Sequence, residues 1–427
     1  MHRDVAAGIV SGAAARRELL ETVAGAFEEL ATWLHGVRSL RELTPRSRDL
    51  IIARGEELSA RLVVAGLQHQ GARAGYVDAT ELIPTDGTFG GAFPDLPRAD
   101  RAIRERLGPM LSRRITPVVP GFTGAAPDGA IVTLGRGGSD LTATVIGRAL
   151  RASAITLWKD VPGLMTADPR LVPSARVVPQ LNTREAAELA YYGAKVLHPR
   201  ALIPLARMKT PLFVRPFADP AAAGTEISAR RTLARYPVKA LSVIRGQALV
   251  TVTGNGMLGV PGIAARTFAA LQRAGISVAL ISQASSEHSI CLSVPQERAV
   301  AAGQALRDAF ATELSRRELE GVEVQRDTAM LAIVGLGMAG SPGIAARMFH
   351  ALSSASVNIV AIAQGSSELN ISVVIAEADA AAAAHAVHDE FQMSKIGGGG
   401  VRRDEGTDVV SAAITCTTLD ATAGQPG

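Results

Sequence analysis

The chain has 427 residues, 47% of them apolar, a length and composition that suggest about three domains with sizeable cores. Its 44 basic and 40 acidic residues leave a formal net charge of only +4, and the basic residues are scattered without an aromatic-laced patch, so nucleic acid is not an expected partner. Cys291 and Cys416 are the only cysteines, which excludes a disulfide scaffold or a cysteine zinc site, and no signal peptide or long apolar span argues for a membrane, so a cytoplasmic protein is expected.

The chain opens on a helix-like stretch, Glu18–Leu34. The segment TPRSRDLIIARGEELSARL, Thr44–Leu62, begins as a helix should, with Thr44 before Pro45. The pair Gly55–Glu56 then interrupts it. A glycine inside a helix costs about 1 kcal/mol against alanine, so Gly55 predicts a close backbone approach. Strand-like segments follow at Ala74–Ala79, Thr116–Val119, Ala130–Leu134, Ile155–Trp158 and Pro211–Val214, with helical stretches between them. That alternation predicts an α/β domain with a mainly parallel sheet, in which ligands bind beyond the carboxyl ends of the strands.

The most informative stretch is IVTLGRGGSD, Ile131–Asp140, where a strand runs through a glycine turn into the helical LTATVIGRAL. Glycines let backbone N–H groups approach a ligand, and the helix start adds roughly half a positive charge. Arg136 contributes a planar fork of donors suited to a carboxylate or phosphate, and Asp140 is placed as the helix N-cap. These ten residues read equally as an anion site or as a plain capped turn. They lack the Gly-Lys-Ser/Thr of a P-loop and the G-x-G-x-x-G of a dinucleotide fold. The Lys159–Arg170 loop, KDVPGLMTADPR, also follows a strand.

From residue 240 onward the chain repeats itself. GIAARTFAALQRAGISVALISQASSEHSICLSV, Gly262–Val294, recurs as GIAARMFHALSSASVNIVAIAQGSSELNISVVI, Gly343–Ile375. Each copy follows an apolar strand and a glycine loop, and the Pro-Gly helix starts are natural carboxylate sites.

Together, RGEELS, PGFTG, TLGRGGSD, WKDVPGLMTADPR and YYGAKVLHPR resemble the aspartate kinase branch of the amino acid kinase family, and the repeats resemble tandem ACT domains. The resemblance runs from about residue 10 to about residue 395. It implies an α/β amino acid kinase-like domain, with a mainly parallel sheet and helices on both faces, over residues 1–235. Two ACT-like α+β regulatory domains would follow over 240–320 and 328–393, with a low-complexity tail over 394–427. The implied reaction is ATP plus L-aspartate giving 4-phospho-L-aspartate plus ADP, the first step of the aspartate-family amino acid pathway, with Mg²⁺ on the nucleotide and no protein metal ligands assigned.

By the same resemblance Glu56 meets the substrate ammonium, and Arg136 with Gly137, Gly138 and Ser139 holds its carboxylate. Asp140 organises the catalytic centre with Arg136. Lys159, Asp160, Met165, Arg170, Lys195 and Val196 line the ATP site, although Met165 and Lys159 depart from the tyrosine and small hydroxyl residue common there. SQASSEHSI and IAQGSSELNISVV are most similar to threonine-sensitive aspartokinases fused to homoserine dehydrogenase. That likeness makes Gln283 and Gln364 the effector-site candidates, L-threonine the expected effector, and a homo-oligomer through the ACT domains the expected assembly.

The family's opening Lys-Phe-Gly-Gly-Thr-Ser has no match here, so the kinase domain is expected to be N-terminally incomplete, and no dehydrogenase activity is expected. The alternative is a catalytically impaired fragment, or a non-catalytic amino-acid-binding regulatory subunit.

Overall fold

The structure, a computed structural model, describes residues 2–192, 196–206, 208–230, 236–254, 262–283, 289–397 and the backbone of 414–417. In chain order the first elements are α1 (His2–Ile9), α2 (Ala13–Leu40), α3 (Pro45–His69), β1 (Ala74–Tyr76), α4 (Leu96–Ser112), β2 (Thr116–Val118), β3 (Thr123–Ala125) and β4 (Ile131–Thr133). Next come α5 (Gly138–Ala149), β5 (Ile155–Lys159), β6 (Gln180–Asn182), α6 (Thr183–Tyr191), β7 (Leu212–Pro216) and β8 (Thr225–Ser228). The remainder is β9 (Ala240–Thr253), α7 (Ile263–Arg273), β10 (Leu280–Gln283), β11 (Ser289–Pro295), α8 (Ala299–Ala309), α9 (Ala311–Ser315), β12 (Gly321–Val334), α10 (Ile344–Ser354), β13 (Ala361–Ala363), β14 (Asn370–Ala376), α11 (Ala380–Glu390) and β15 (Ile414–Thr417).

Contacts divide the chain into two units, one of residues 1–162, 196–229 and 405–427, the other of 163–195 and 230–404. In the first unit β1 and β2 pair in parallel and β3 and β4 pair antiparallel. β5 lies between β7 and β15, parallel to both, and β8 continues antiparallel beyond β7. The tail therefore holds a strand, because the β-branched Ile414–Thr417 pairs residue by residue with Ile155–Trp158.

α5 is buried almost all round, as a helix without a polar face must be. Its hydroxyls are satisfied internally: Thr142 Oγ1 donates to Gly138 O at 2.9 Å and Thr144 Oγ1 to Leu141 O at 3.0 Å. With α4 it packs on Val132 and Leu134, so the glycine turn between β4 and α5 is pinned at both ends by core residues, Leu134 and Leu141.

The second unit carries one six-stranded antiparallel sheet in the order β10-β11-β9-β12-β14-β13. The two repeats share its centre. The second half of β9 pairs with the first half of β12, Val252 opposite Val322, and the first half of β9 pairs with the second half of β12, Leu241 opposite Ile333. Each long strand thus serves both copies, and the second repeat takes its last strand from residues that precede the first. The apolar faces of α7 and α8 bury Ile263, Leu271, Ala302 and Leu306 against Val250, Val252, Leu292 and Val294. Met348, Leu352 and Val387 are equally buried in the second copy.

Candidate active site

α3 enters as expected: Thr44 Oγ1 accepts from Ser47 N at 3.1 Å, with Pro45 in the first turn. The helix does not break at Gly55, however. It continues to His69, and a Cβ built on Gly55 meets nothing within 4 Å, so no close approach explains that glycine. One helical face carries Asp49 and, two turns on, Glu56. Asp49 is fully buried, and its Oδ2 accepts from Thr133 N at 2.8 Å and Gly90 N at 2.7 Å. Glu56 is half-buried, and burial pushes its carboxyl above the usual glutamate range.

The turn departs from expectation in one respect. Its N-cap is Gly137, not Asp140, which lies inside the first helical turn. Gly135 and Gly137 both have φ of 72°, a left-handed conformation open to glycine, and this lets the helix start earlier than a side-chain cap would. No side chain caps the helix start, and the exposed Arg136 projects between the two glycines. The turn is closely packed from three sides. A Cβ on Gly137 would stand 2.3 Å from His198 Cβ, one on Gly135 3.0 Å from Gly90 O, and one on Gly121 of PGFTG 3.0 Å from Ser139 Cα.

Two residues without an assigned role hold this arrangement. His198 faces Arg136 and Asp140; burial, then Arg200 and Arg136, lower its pKa, with Asp140 opposing, so the imidazole stays neutral near pH 7. Arg200 donates from Nη1 to Leu134 O at 2.5 Å and from Nη2 to Ala92 O at 2.6 Å, and its guanidinium stacks 4.2 Å from the Phe93 ring centre. Both lie at the end of YYGAKVLHPR, and nothing in the spacing of that motif signals these contacts.

Asp140 and Lys159 form a buried pair: Lys159 Nζ donates to Oδ1 at 2.8 Å and Oδ2 at 2.9 Å. The first unit thus holds Glu56, Arg136, Gly137, Gly138, Ser139, Asp140, Lys159 and Asp160, of which Asp160 is exposed and Ser139 half-buried. Val196, half-buried, also belongs to it. Met165 and Arg170 belong to the second unit. Met165 bridges to Val177, and the exposed Arg170 is held by Asp168, Nη2 to Oδ2 at 2.7 Å. Lys195 lies outside the described residues.

In the second unit α7 and α10 start at Gly262 and Gly343, both left-handed and neither capped by a side chain. Gln283 ends β10 and Gln364 follows β13; both are exposed. Ser282 Oγ donates to Ile362 O at 3.0 Å, so the ends of these two strands run side by side.

The family description "Amino acid kinase family" matches residues 3–216, and "ACT domain" matches 250–310 and 331–391. The chain belongs to the amino acid kinase family. Within it, the chain falls among the aspartokinases. It is 37% identical over 369 residues to a bifunctional aspartokinase/homoserine dehydrogenase of Haemophilus influenzae, covering 86% of this chain and 45% of that one. It is 36% identical over 373 residues to aspartokinase 1, chloroplastic, of Arabidopsis thaliana, covering 85% and 64%. The chain thus spans under half the length of the bifunctional relative and just under two thirds of the other. The structure of E. coli aspartokinase III in complex with aspartate and ADP (R-state) aligns with a TM-score of 0.72 at 30% identity, covering 91% of this chain and 90% of that one. The same enzyme in complex with lysine and aspartate (T-state) aligns with a TM-score of 0.68. Aspartokinase architecture therefore holds for this chain, an amino acid kinase fold followed by paired ACT domains. No helix among the described residues is long and apolar enough to cross a membrane.

Proposed function

We propose that this chain transfers the γ-phosphoryl group of ATP to the side-chain carboxylate of L-aspartate, giving 4-phospho-L-aspartate and ADP. The glycine turn carries the reading: an exposed guanidinium between two left-handed glycines, at an uncapped helix start, is built for an anion. The kinship with aspartokinases selects the substrate. The nucleophile is already ionised at neutral pH, so no base has to activate it. The difficulty is to bring one anion against another, and catalysis consists of positioning and charge neutralisation. Arg136 and the Gly137–Ser139 backbone would take the α-carboxylate, with Glu56 on the ammonium and Asp140 organising the centre. Lys159, Asp160, Met165, Arg170, Lys195 and Val196 would serve the nucleotide.

Among the described residues no cluster of His, Cys, Asp or Glu could cage a metal. Mg²⁺ would ride on the nucleotide phosphates and supply neutralising charge there.

The test is ADP release by the purified chain with Mg-ATP, with the acyl phosphate trapped by hydroxylamine. Release and hydroxamate should both require L-aspartate. Hydroxamate formation with L-glutamate and none with L-aspartate would overturn the substrate assignment.

The paired ACT domains, with Gln283 and Gln364 at the ends of adjoining strands, support control of this activity by a free amino acid. We infer L-threonine as the effector and an assembly of identical chains through these domains. The likeness of SQASSEHSI and IAQGSSELNISVV to threonine-sensitive relatives supports both inferences.

A further inference from the structure

Among the described residues a second lysine, Lys239, also forms a buried ion pair. In the second unit, Glu185 and Lys239 are 0% and 7% exposed. Glu185 also accepts from Asn182 N at 2.8 Å and Leu336 N at 2.7 Å, so its oxygens are committed on every side. That pair is a structural knot tying α6 to β9 and to the loop after β12. Asp140 and Lys159 are 5% and 12% exposed and sit differently. Asp140 lies in the first turn of α5, directly behind the glycine turn, and Lys159 is the last residue of the parallel strand β5. The carboxyl end of a parallel strand is where α/β sheets receive ligands, and a glycine turn at a helix start, as between β4 and α5, is suited to an anion. In sequence, exposed Arg136 stands four residues before Asp140, and exposed Asp160 follows Lys159 directly.

A buried ion pair is weak evidence for stability, since apolar residues of similar volume often do as well. Its retention here has a chemical use. Lysine is a compact charge on a flexible stem, with three donors that can be redirected, which the rigid arginine fork cannot do. The bonds Lys159 donates to Asp140 run to the two oxygens of one carboxylate, a partner that another anion of similar size can replace.

We propose that Lys159 is a catalytic residue: its ammonium rests on Asp140 in the unliganded protein and moves onto the γ-phosphoryl oxygens during transfer. The proposal rests on the phosphoryl-transfer reading given above. In the step, an oxygen of the aspartate side-chain carboxylate forms a bond to the γ-phosphorus. The bond from that phosphorus to the β,γ-bridging oxygen breaks, and the leaving oxygen keeps the electron pair as ADP departs. No proton moves. Lys159 stays charged throughout and spreads the negative charge that collects on the transferring group. Asp140 positions the ammonium beforehand.

Lys159→Met and Lys159→Arg test this, with turnover, ligand affinities and the thermal midpoint measured on each. Lys159→Met should lower kcat by about 100- to 1,000-fold, the scale seen when one donor to a developing charge is removed, and should leave aspartate affinity within about threefold. It should also weaken a non-hydrolysable ATP analogue more than ADP, because only the former carries the γ-group. Lys159→Arg keeps the charge and the fold, and should still lose at least about tenfold in kcat because a planar fork cannot make the transfer. Lys159→Cys treated with bromoethylamine restores a lysine-like ammonium and should recover activity, against the treated unsubstituted chain as baseline.

Unchanged kcat together with an unchanged analogue-to-ADP affinity ratio in Lys159→Met would overturn the proposal. So would an equal fall of every ligand affinity in step with the thermal midpoint, the mark of a structural role. If the unsubstituted chain phosphorylates nothing, the functional reading falls instead, and the affinity ratio alone judges Lys159.

Discussion

At the scale of single residues, burial acts most directly on Glu56. Its carboxyl is held above the usual glutamate range because its ionised form loses solvation. A group with a raised folded pKa adds stability below its unfolded value, and that contribution is lost as pH rises through the folded value. The ionised side chain is thus penalised at neutral pH until a cation arrives, and the ammonium of aspartate would be that cation. Aspartate affinity should therefore weaken on acidification at a higher pH than an ordinary glutamate would give, and calorimetry across pH on Glu56→Gln should lack that limb. An unaltered pH profile in the variant would remove Glu56 from the site. Arg136 is exposed, so Arg136→Lys should leave the thermal midpoint in place while aspartate binding falls, since the bidentate fork is lost. Gly55 is the opposite case. Its sequence context suggested a packing constraint, yet space is open around it in the middle of a helix. Gly55→Ala should stabilise the protein by about 0.5–1 kcal/mol in urea titration through helix propensity alone.

The glycine turn is held by other elements. Asp49 on α3 and Arg200 beyond β5 grip the loop Gly90–Phe93 and the end of β4 together, and Ala92 N adds a bond to Thr133 O at 3.0 Å. Arg200→Lys loses the two-armed fork, and a bond lost with it should cost about 1 kcal/mol, with faster hydrogen exchange at Leu134–Ser139. Asp49→Ala leaves the buried Thr133 N–H and the half-buried Gly90 N–H without their acceptor and should cost about 2–4 kcal/mol in chemical denaturation. The turn itself was legible, because glycines, an arginine and a following helix sit side by side in sequence. Its braces were not. Asp49 bonds to Gly90 across 41 residues and Arg200 to Ala92 across 108, and neither propensity nor periodicity encodes pairings at such separations. The position of the helix cap was missed for a local reason: a left-handed glycine can start a helix where sequence rules favour the acidic residue.

For the molecule as a whole, the repeat marked out two similar modules, and each runs strand, helix, two strands, helix in the same order. The exchange of β9 and β12 between them was not legible, since a strand of 14 residues carries no sign of which half faces which neighbour. If the modules sense threonine, adding it should raise the thermal midpoint whether or not the protein turns over, because any ligand of the native state does so. Gln283→Ala should reduce that rise. A rise with L-lysine and none with L-threonine would reassign the effector.

The shared strands also govern how these modules can travel between genes. A piece beginning at Gly321 would leave behind Ala240–Ile244 and expose the flank of β12, an invitation to aggregate. A piece ending before Gly321 would strip the first module of its closing strand. Any recombination that transplants amino-acid control from this protein to another must therefore carry both modules as one indivisible cassette, with its boundary upstream of Ala240.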